Sequence, residues 1–250
     1  ATGGAVVTSQ LLGARRMADA RRSAGQLVTL TFAMGCLMMA LCLVFARQLL
    51  KLFFGSIADD VMAAGLTYLR VTALSFPFIA LYNAGAAIFR SVGNSKVSMQ
   101  VSLWMNGINV AGNALGVFAL KMGVAGVAVP TLVSRAVAAV MILAMASRKG
   151  QELTLDASAL YPIDRKVMGK ILRIGIPSAC ENSFFQFGRL LVVSMIALFG
   201  TTQTSANAVA NNLDSIATVV GQAMGLAMVT VVGQSVGAGD KEQAVFYLKK

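Results

Sequence analysis

Two carboxylic acids lie inside apolar stretches of this sequence, and amides accompany each at helical spacing. Glu181 falls within RIGIPSACENSFFQFGRLLVVSMIALFG (173–200), a segment of membrane-crossing length, and is followed by Asn182 and Gln186. A helix rises ~1.5 Å per residue through a hydrocarbon core of ~30 Å, which puts this acid near the midplane. Asp214 completes the series Asn207, Asn211, Asp214 at i, i+4, i+7, and Asn106, Asn109 and Asn113 recur at i, i+3, i+7. Such spacings bring side chains to one helix face. Ionisation in hydrocarbon is expensive, so intramembrane acids are functional candidates by default. Desolvation favours the neutral carboxylic acid, and an acid that ionises only when a cation or water reaches it would couple cation binding to proton release.

Each group also has a purely structural use. Glu181 can pair with Arg135 or Arg189, although buried ion pairs stabilise unreliably. Asn182 and Gln186, on a face apart from that of Glu181, either line a passage or bond between helices. Phe184, Phe185 and Phe187 either stack on an aromatic cation or simply pack and meet lipid. The stripe Asn106, Asn109, Asn113 lies beside Gly112 and Gly116, a GxxxG pair, so close helix packing with interhelical hydrogen bonds competes with a lining role. Asp214, nearer an interface, is the weaker coupling candidate, with Asn211 beside it as a lining residue.

Other chemistry is disfavoured by residues that are missing. The chain has no histidine, which removes Ser-His-Asp and Cys-His nucleophilic sites and His-based metal sites. Cys36, Cys42 and Cys180 form no CxxC pair and read as small apolar side chains. Ser91-Val92-Gly93-Asn94-Ser95-Lys96 lacks the glycine and the GK[ST] ending of a phosphate-binding loop. No cofactor is expected beyond a coupling ion.

The elements that must position the polar groups are apolar spans. The 250 residues are 57% hydrophobic and 12% charged, with a mean hydropathy of +0.73, whereas soluble domains are roughly 45–50% apolar and about a quarter charged. This is an all-α polytopic membrane protein in contact with a lipid bilayer. The first twelve residues lack a cap or a signal-peptide pattern, so the chain is expected to begin inside a helix, as a fragment. Spans are expected at about 24–46, 66–89 with Pro77 in its middle, 98–120, 124–146, 173–200 and 208–235. Between them lie a basic loop at 13–22, an amphipathic connection at 47–65, turns at 90–96 and 121–123, a polar surface linker at 147–173, and the short connection GTTQTSAN. Pro177, one turn before Glu181, is expected to kink that helix.

Charge position explains the formal net charge of +11. The loops at 13–22, 90–96, 147–173 and 237–250 carry 15 of the 21 basic residues, the opposite loops only Arg47, Lys51 and Lys121. The asymmetry places the basic loops in the cytoplasm and removes the case for a nucleic-acid partner.

SQLLGARRMADA (9–20) and GQSVGAGDKEQA (233–244) resemble each other, with Gln10 on Gln234, Gly13 on Gly237, Ala14 on Ala238 and Ala20 on Ala244, an offset of 234 − 10 = 224 residues. Both copies leave an apolar run for a cytoplasmic loop, and six spans separate them. An even number implies parallel repeats related by an axis along the membrane normal, two six-helix bundles in a full-length protein of about 450 residues. Residues 1–146 then form one bundle, 147–173 the linker, and 174–250 the start of the second bundle.

SQLLGARRMADARR, PFIALYNAGAAIFRSVGNSK (77–96), GVAGVAVPTLVSR (123–135) and IGIPSACENSFFQFG (174–188) together resemble the multidrug and toxic compound extrusion (MATE) family, over essentially the whole chain from late in the second helix to the start of the ninth. The resemblance implies twelve helices in two V-arranged bundles, alternating access, and export of organic cations driven by inward Na⁺ or H⁺. Members with an acid on the seventh helix often carry it a turn further on, where this chain has Phe185, Gln186 and Phe187; others use an aspartate on the first helix. The sequence thus points to a monomeric multidrug antiporter of the cytoplasmic (inner) membrane with organic cations as substrates. A lipid-linked oligosaccharide flippase of the same superfamily is the alternative, and a membrane-embedded enzyme the alternative from another class.

Overall fold

The computed structural model describes residues 1–54, 59–148, 153–155, 164–197 and 199–249, and among these every regular element is helical. In chain order they are α1 (Thr2–Gly13), α2 (Met17–Phe54), α3 (Asp59–Leu74), α4 (Phe76–Ser91), α5 (Ser95–Ala114) continued by a π turn (Leu115–Ala119), α6 (Ala125–Ala146), α7 (Arg165–Ala197), α8 (Thr201–Gly237) and α9 (Lys241–Lys249). Among the described residues three helices are long and apolar enough to cross a membrane by themselves, within α2, α6 and α8, and the pair α3/α4, bent by 41°, passes the same test when taken together. Two expected spans, α5 and α7, fall short on that criterion. The Asn, Ser and Gln side chains of α5, and Glu181, Asn182, Gln186 and Arg189 of α7, lower their mean hydropathy.

Several helices run past the boundaries expected from sequence. Residues from Met17 on, assigned to a basic loop, already belong to α2, which continues to Phe54. The linker gives up Arg165 and all that follows to α7, and GTTQTSAN contributes its residues from Thr201 to α8. Where no lipid tail sets a limit, helical hydrogen bonding simply continues past the apolar run. Residues 55–58, 149–152 and 156–163, parts of the expected connection and linker, lie outside the described residues. The opposite error occurs at 66–89, which is two helices meeting at Ser75. Pro77 occupies the first turn of α4, where its missing N–H is no loss, so it starts a helix instead of kinking one. Pro177, by contrast, lies inside the unbroken α7.

The interior is made of small residues. Ala20, Ala24, Ala84, Ala87, Ala138 and Ala146 are buried with Leu27, Ile88 and Ile142, which lets α2, α4 and α6 approach closely, as membrane helices do. A buried hydrogen bond of 3.1 Å joins Thr8 and Ser23 across α1 and α2. Large apolar side chains such as Val44, Trp104, Phe118 and Val140 face outward, the inverse of a water-soluble surface.

The 224-residue repeat is visible in the backbone. Helix ends match, since 237 − 13 and 241 − 17 are both 224. So does the intervening turn. Ala14 N–H donates to Gln10 O (3.0 Å) and Arg16 N–H to Leu11 O (2.9 Å); Ala238 N–H donates to Gln234 O (2.9 Å) and Asp240 N–H to Ser235 O (3.1 Å). The left-handed residue of each turn is Arg15 (φ 57°) or Gly239 (φ 81°). This is a Schellman-type ending, in which the residue after the cap turns left-handed so that following amides satisfy the last carbonyls.

Candidate functional site

The two copies of the repeat pack on each other. α1 lies against the end of α8, and the contact is reciprocal: a methyl group at Gly13 would overlap the Gln234 carbonyl, and one at Gly237 would overlap the Gln10 carbonyl. Ser9 and Gly233, also equivalent, meet each other, with a Cβ at Gly233 falling 2.8 Å from that of Ser9. When residue i touches j′ and j touches i′, the contact straddles a two-fold axis; here the axis is local and approximate, and runs between Ser9 and Gly233. Beyond it, α8 reaches α4. Thr230 Oγ1 donates to the Arg90 carbonyl (3.1 Å) and Gln234 Nε2 to the Ser91 carbonyl (2.8 Å).

Glu181 projects from α7 as an exposed side chain. α7 packs on α1, α2 and α8. Its contact with α1 lies a turn or more before the acid, where Gly3 abuts the Ile171 carbonyl and Gly175. Residues 1–146 therefore leave Glu181 uncovered. Among the described residues Glu181 forms no ion pair, with Arg135, Arg189 or any other cation, and the sole salt bridge joins Arg16 to Asp19 at 2.7 Å. Asn182 bonds back to the Ser178 carbonyl of its own helix (2.8 Å), and Gln186, Phe184, Phe185 and Phe187 are exposed with it.

The α5 amides divide. Asn109 and Asn113 are partly buried against α6. Asn109 Nδ2 donates to Thr131 Oγ1 (3.1 Å) and Ser134 Oγ (3.5 Å), and Asn113 Nδ2 to Asn109 Oδ1 (3.1 Å). Asn113 Oδ1 is buried without a donor, an acceptor open to a water or a cation. Gly112 and Gly116 permit this approach, since a Cβ at Gly112 would lie 2.7 Å from Pro130 and one at Gly116 would overlap the Gly126 carbonyl. Asn106 is exposed and turns back on Ser102 (3.0 Å). On α8, Asn207 and Asn211 are partly buried and Asp214 is exposed.

Sequence reasoning missed two features. Arg135, a cation inside α6, donates to Ser75 Oγ (2.6 Å) at the α3/α4 break, and no carboxylate joins them. A cavity of about 510 Å³ between α1, α2, α4 and α7 is lined by Leu27, Leu30, Met34, Phe76 and Ile79, with Thr31 and Asn83 as its polar side chains; none of the amides or acids proposed from sequence borders it. Its members come from four helices and share no sequence pattern, whereas the Gln-x-x-Gly repeat was a signal for the α1/α8 contact.

Apolar helices of membrane-crossing length, few deep charges and an internal repeat whose copies meet about an axis define an internally repeated polytopic membrane protein. The MatE family model matches residues 1–115 and 177–250, and the chain belongs to that family. It is 28% identical over 242 residues to an uncharacterized transporter, YisQ, of Bacillus subtilis, covering 95% of this chain and 52% of the relative. It is 27% identical over 255 residues to the probable multidrug resistance protein NorM of Thermotoga maritima, covering 99% and 53%. The fold superposes on an outward-facing multidrug resistance MATE family transporter of the MOP superfamily with a TM-score of 0.88 at 20% identity, covering 98% of this chain and 55% of that one. The chain spans about half the length of the curated relatives it matches.

Proposed function

We propose that this chain is the central half of a secondary active exporter of amphipathic, cationic small molecules, working in antiport with H⁺ or Na⁺ across the cytoplasmic membrane. The observation that carries the proposal is the reciprocal α1/α8 contact. Two parallel repeats meeting about an axis can rock against each other, exposing a central site to one side and then the other. The apolar cavity, of a size suited to a drug-like molecule, supports amphipathic substrates over the pyrophosphate head of a lipid-linked sugar, since no charged side chain among the described residues lines it. The relatives described as multidrug proteins agree with this choice.

In this scheme Glu181 is the coupling acid, with Asp214 second. Asn182, Phe185, Gln186 and Asn211 line the passage on the second bundle, and Asn106, Asn109 and Asn113 on the first. Protonation or Na⁺ binding at Glu181 and substrate binding compete, so inward ion flow drives the substrate out. The test uses the full-length protein in vesicles, following efflux of a cationic dye under an imposed pH gradient and then under a Na⁺ gradient. Glu181→Gln is expected to insert normally and to reduce gradient-driven efflux to the level of empty vesicles. Undiminished efflux by the inserted variant would remove Glu181 from the coupling role.

A further inference from the structure

The last carbonyls of a helix have no intrahelical donor. At the end of α4 the Arg90 carbonyl accepts from Gly93 N–H (2.8 Å) and, from another bundle, from Thr230 Oγ1 (3.1 Å); the Ser91 carbonyl accepts from Gln234 Nε2 (2.8 Å). Both donors lie on α8, one turn apart on the same face, and α4 belongs to the first repeat. Gln234 also places its own carbonyl against Gly13. One residue thus joins α8 to both α1 and α4. All three helix ends lead into basic loops, at 13–22, 90–96 and 237–250, so the junction lies at the cytoplasmic side.

We infer that Thr230 and Gln234 form a hydrogen-bonded latch that holds the cytoplasmic ends of the two bundles together and must release for the site to open inward. The inference rests on the alternating-access proposal. The latch is asymmetric by sequence. The repeat counterparts of Gln234 and Thr230, at 234 − 224 and 230 − 224, are Gln10 and Val6. Gln10 can offer the mirror bond to the second bundle, whereas Val6 has no donor. Two donors therefore close the α4 flank, whereas the counterpart residues could supply one donor at most.

The experiment reads opening directly. In the full-length protein with every cysteine changed to Ala, Cys36, Cys42 and Cys180 among them, Ser9→Cys provides one reporter thiol at a position that is fully buried against Gly233. Vesicles exposing the cytoplasmic side are treated with a membrane-impermeant maleimide. A neutral hydrogen bond shifts an equilibrium by about 0.5–1.5 kcal/mol, so Thr230→Val and Gln234→Met should each raise the labelling rate from about twofold to tenfold, and Thr230→Ser, which keeps the donor, should leave it near the parent rate. Parent-like labelling of Thr230→Val and Gln234→Met overturns the latch. So does equal acceleration by Thr230→Ser and Thr230→Val, which would mean that packing matters and the hydroxyl does not. Should Gln234→Met fail to insert, the Thr230 pair decides alone. Dye efflux is measured on the same vesicles: absent efflux from the parent with the labelling order intact refutes the exporter proposal and leaves the latch standing.

Discussion

Arg15 and Gly239 occupy equivalent positions in the two copies of the repeat and share a left-handed backbone, at φ 57° and φ 81°. Only the second copy has the residue suited to it, because glycine carries no Cβ to clash. Arg15→Gly is therefore expected to raise the thermal midpoint of the purified full-length protein, because relief of about 1–2 kcal/mol of left-handed strain outweighs the roughly 0.5–1 kcal/mol entropic cost of glycine, and Gly239→Ala is expected to lower it by about 1 kcal/mol or more. A rise in both would show that the two turns are not equivalent. The left-handed turn was legible in the glycine but hidden under the arginine until the two segments were aligned. Glu181 illustrates the opposite limit. Its depth follows from counting residues along one helix, but the side it faces depends on how α7 lies on α1 and α2, which no local pattern encodes.

Among elements, the α3/α4 break is where local reading and tertiary structure diverge. Pro77 marks a discontinuity, yet the bend sits at Ser75, whose hydroxyl donates to the Thr72 carbonyl (2.6 Å) while accepting from Arg135 (2.6 Å). The arginine of α6 braces the bend, and α6 packs on both halves of it. Hydrogen bonds to charged groups are worth about 1.5–3 kcal/mol. Ser75→Ala and Arg135→Met should therefore couple by that order in a double-mutant cycle of SDS-unfolding free energies, the double variant losing less than the two single losses combined. Additive losses would mean that each side chain acts independently. Arg135 announced itself in the sequence as a charge in need of a partner. The partner is sixty residues away in the chain and neutral, so the usual search for an opposite charge pointed wrongly to Glu181.

At the scale of the whole molecule, charge asymmetry and the repeat make one joint prediction about orientation. In the cysteine-free background, Arg21→Cys and Lys96→Cys are expected to react with an impermeant thiol reagent only from the cytoplasmic side, and Lys121→Cys only from the outside. Labelling of Lys96→Cys from the outside would break the topology and, with it, the parallel arrangement of the repeats. The same arrangement gives α1 its place: as the copy that faces α8, it bridges the first bundle to the second, contacting α2, α4, α7 and α8.

The sequence alone carried the class and the repeat, because hydropathy and self-similarity are properties of consecutive residues acting under a single external constraint, the bilayer; loop charge supplies the orientation as an expectation. It also offered close packing at Gly112 and Gly116 as one of two readings, and the contacts with Pro130 and Gly126 are those of close packing. Tertiary structure alone decided who meets whom: Asn109 with Thr131, Arg135 with Ser75, Gln234 with the end of α4, and Glu181 with none of the cations proposed for it. These pairings depend on the rotation of each helix about its axis and on where it crosses its neighbours. Small differences in packing between whole faces set both, and no single residue carries that information.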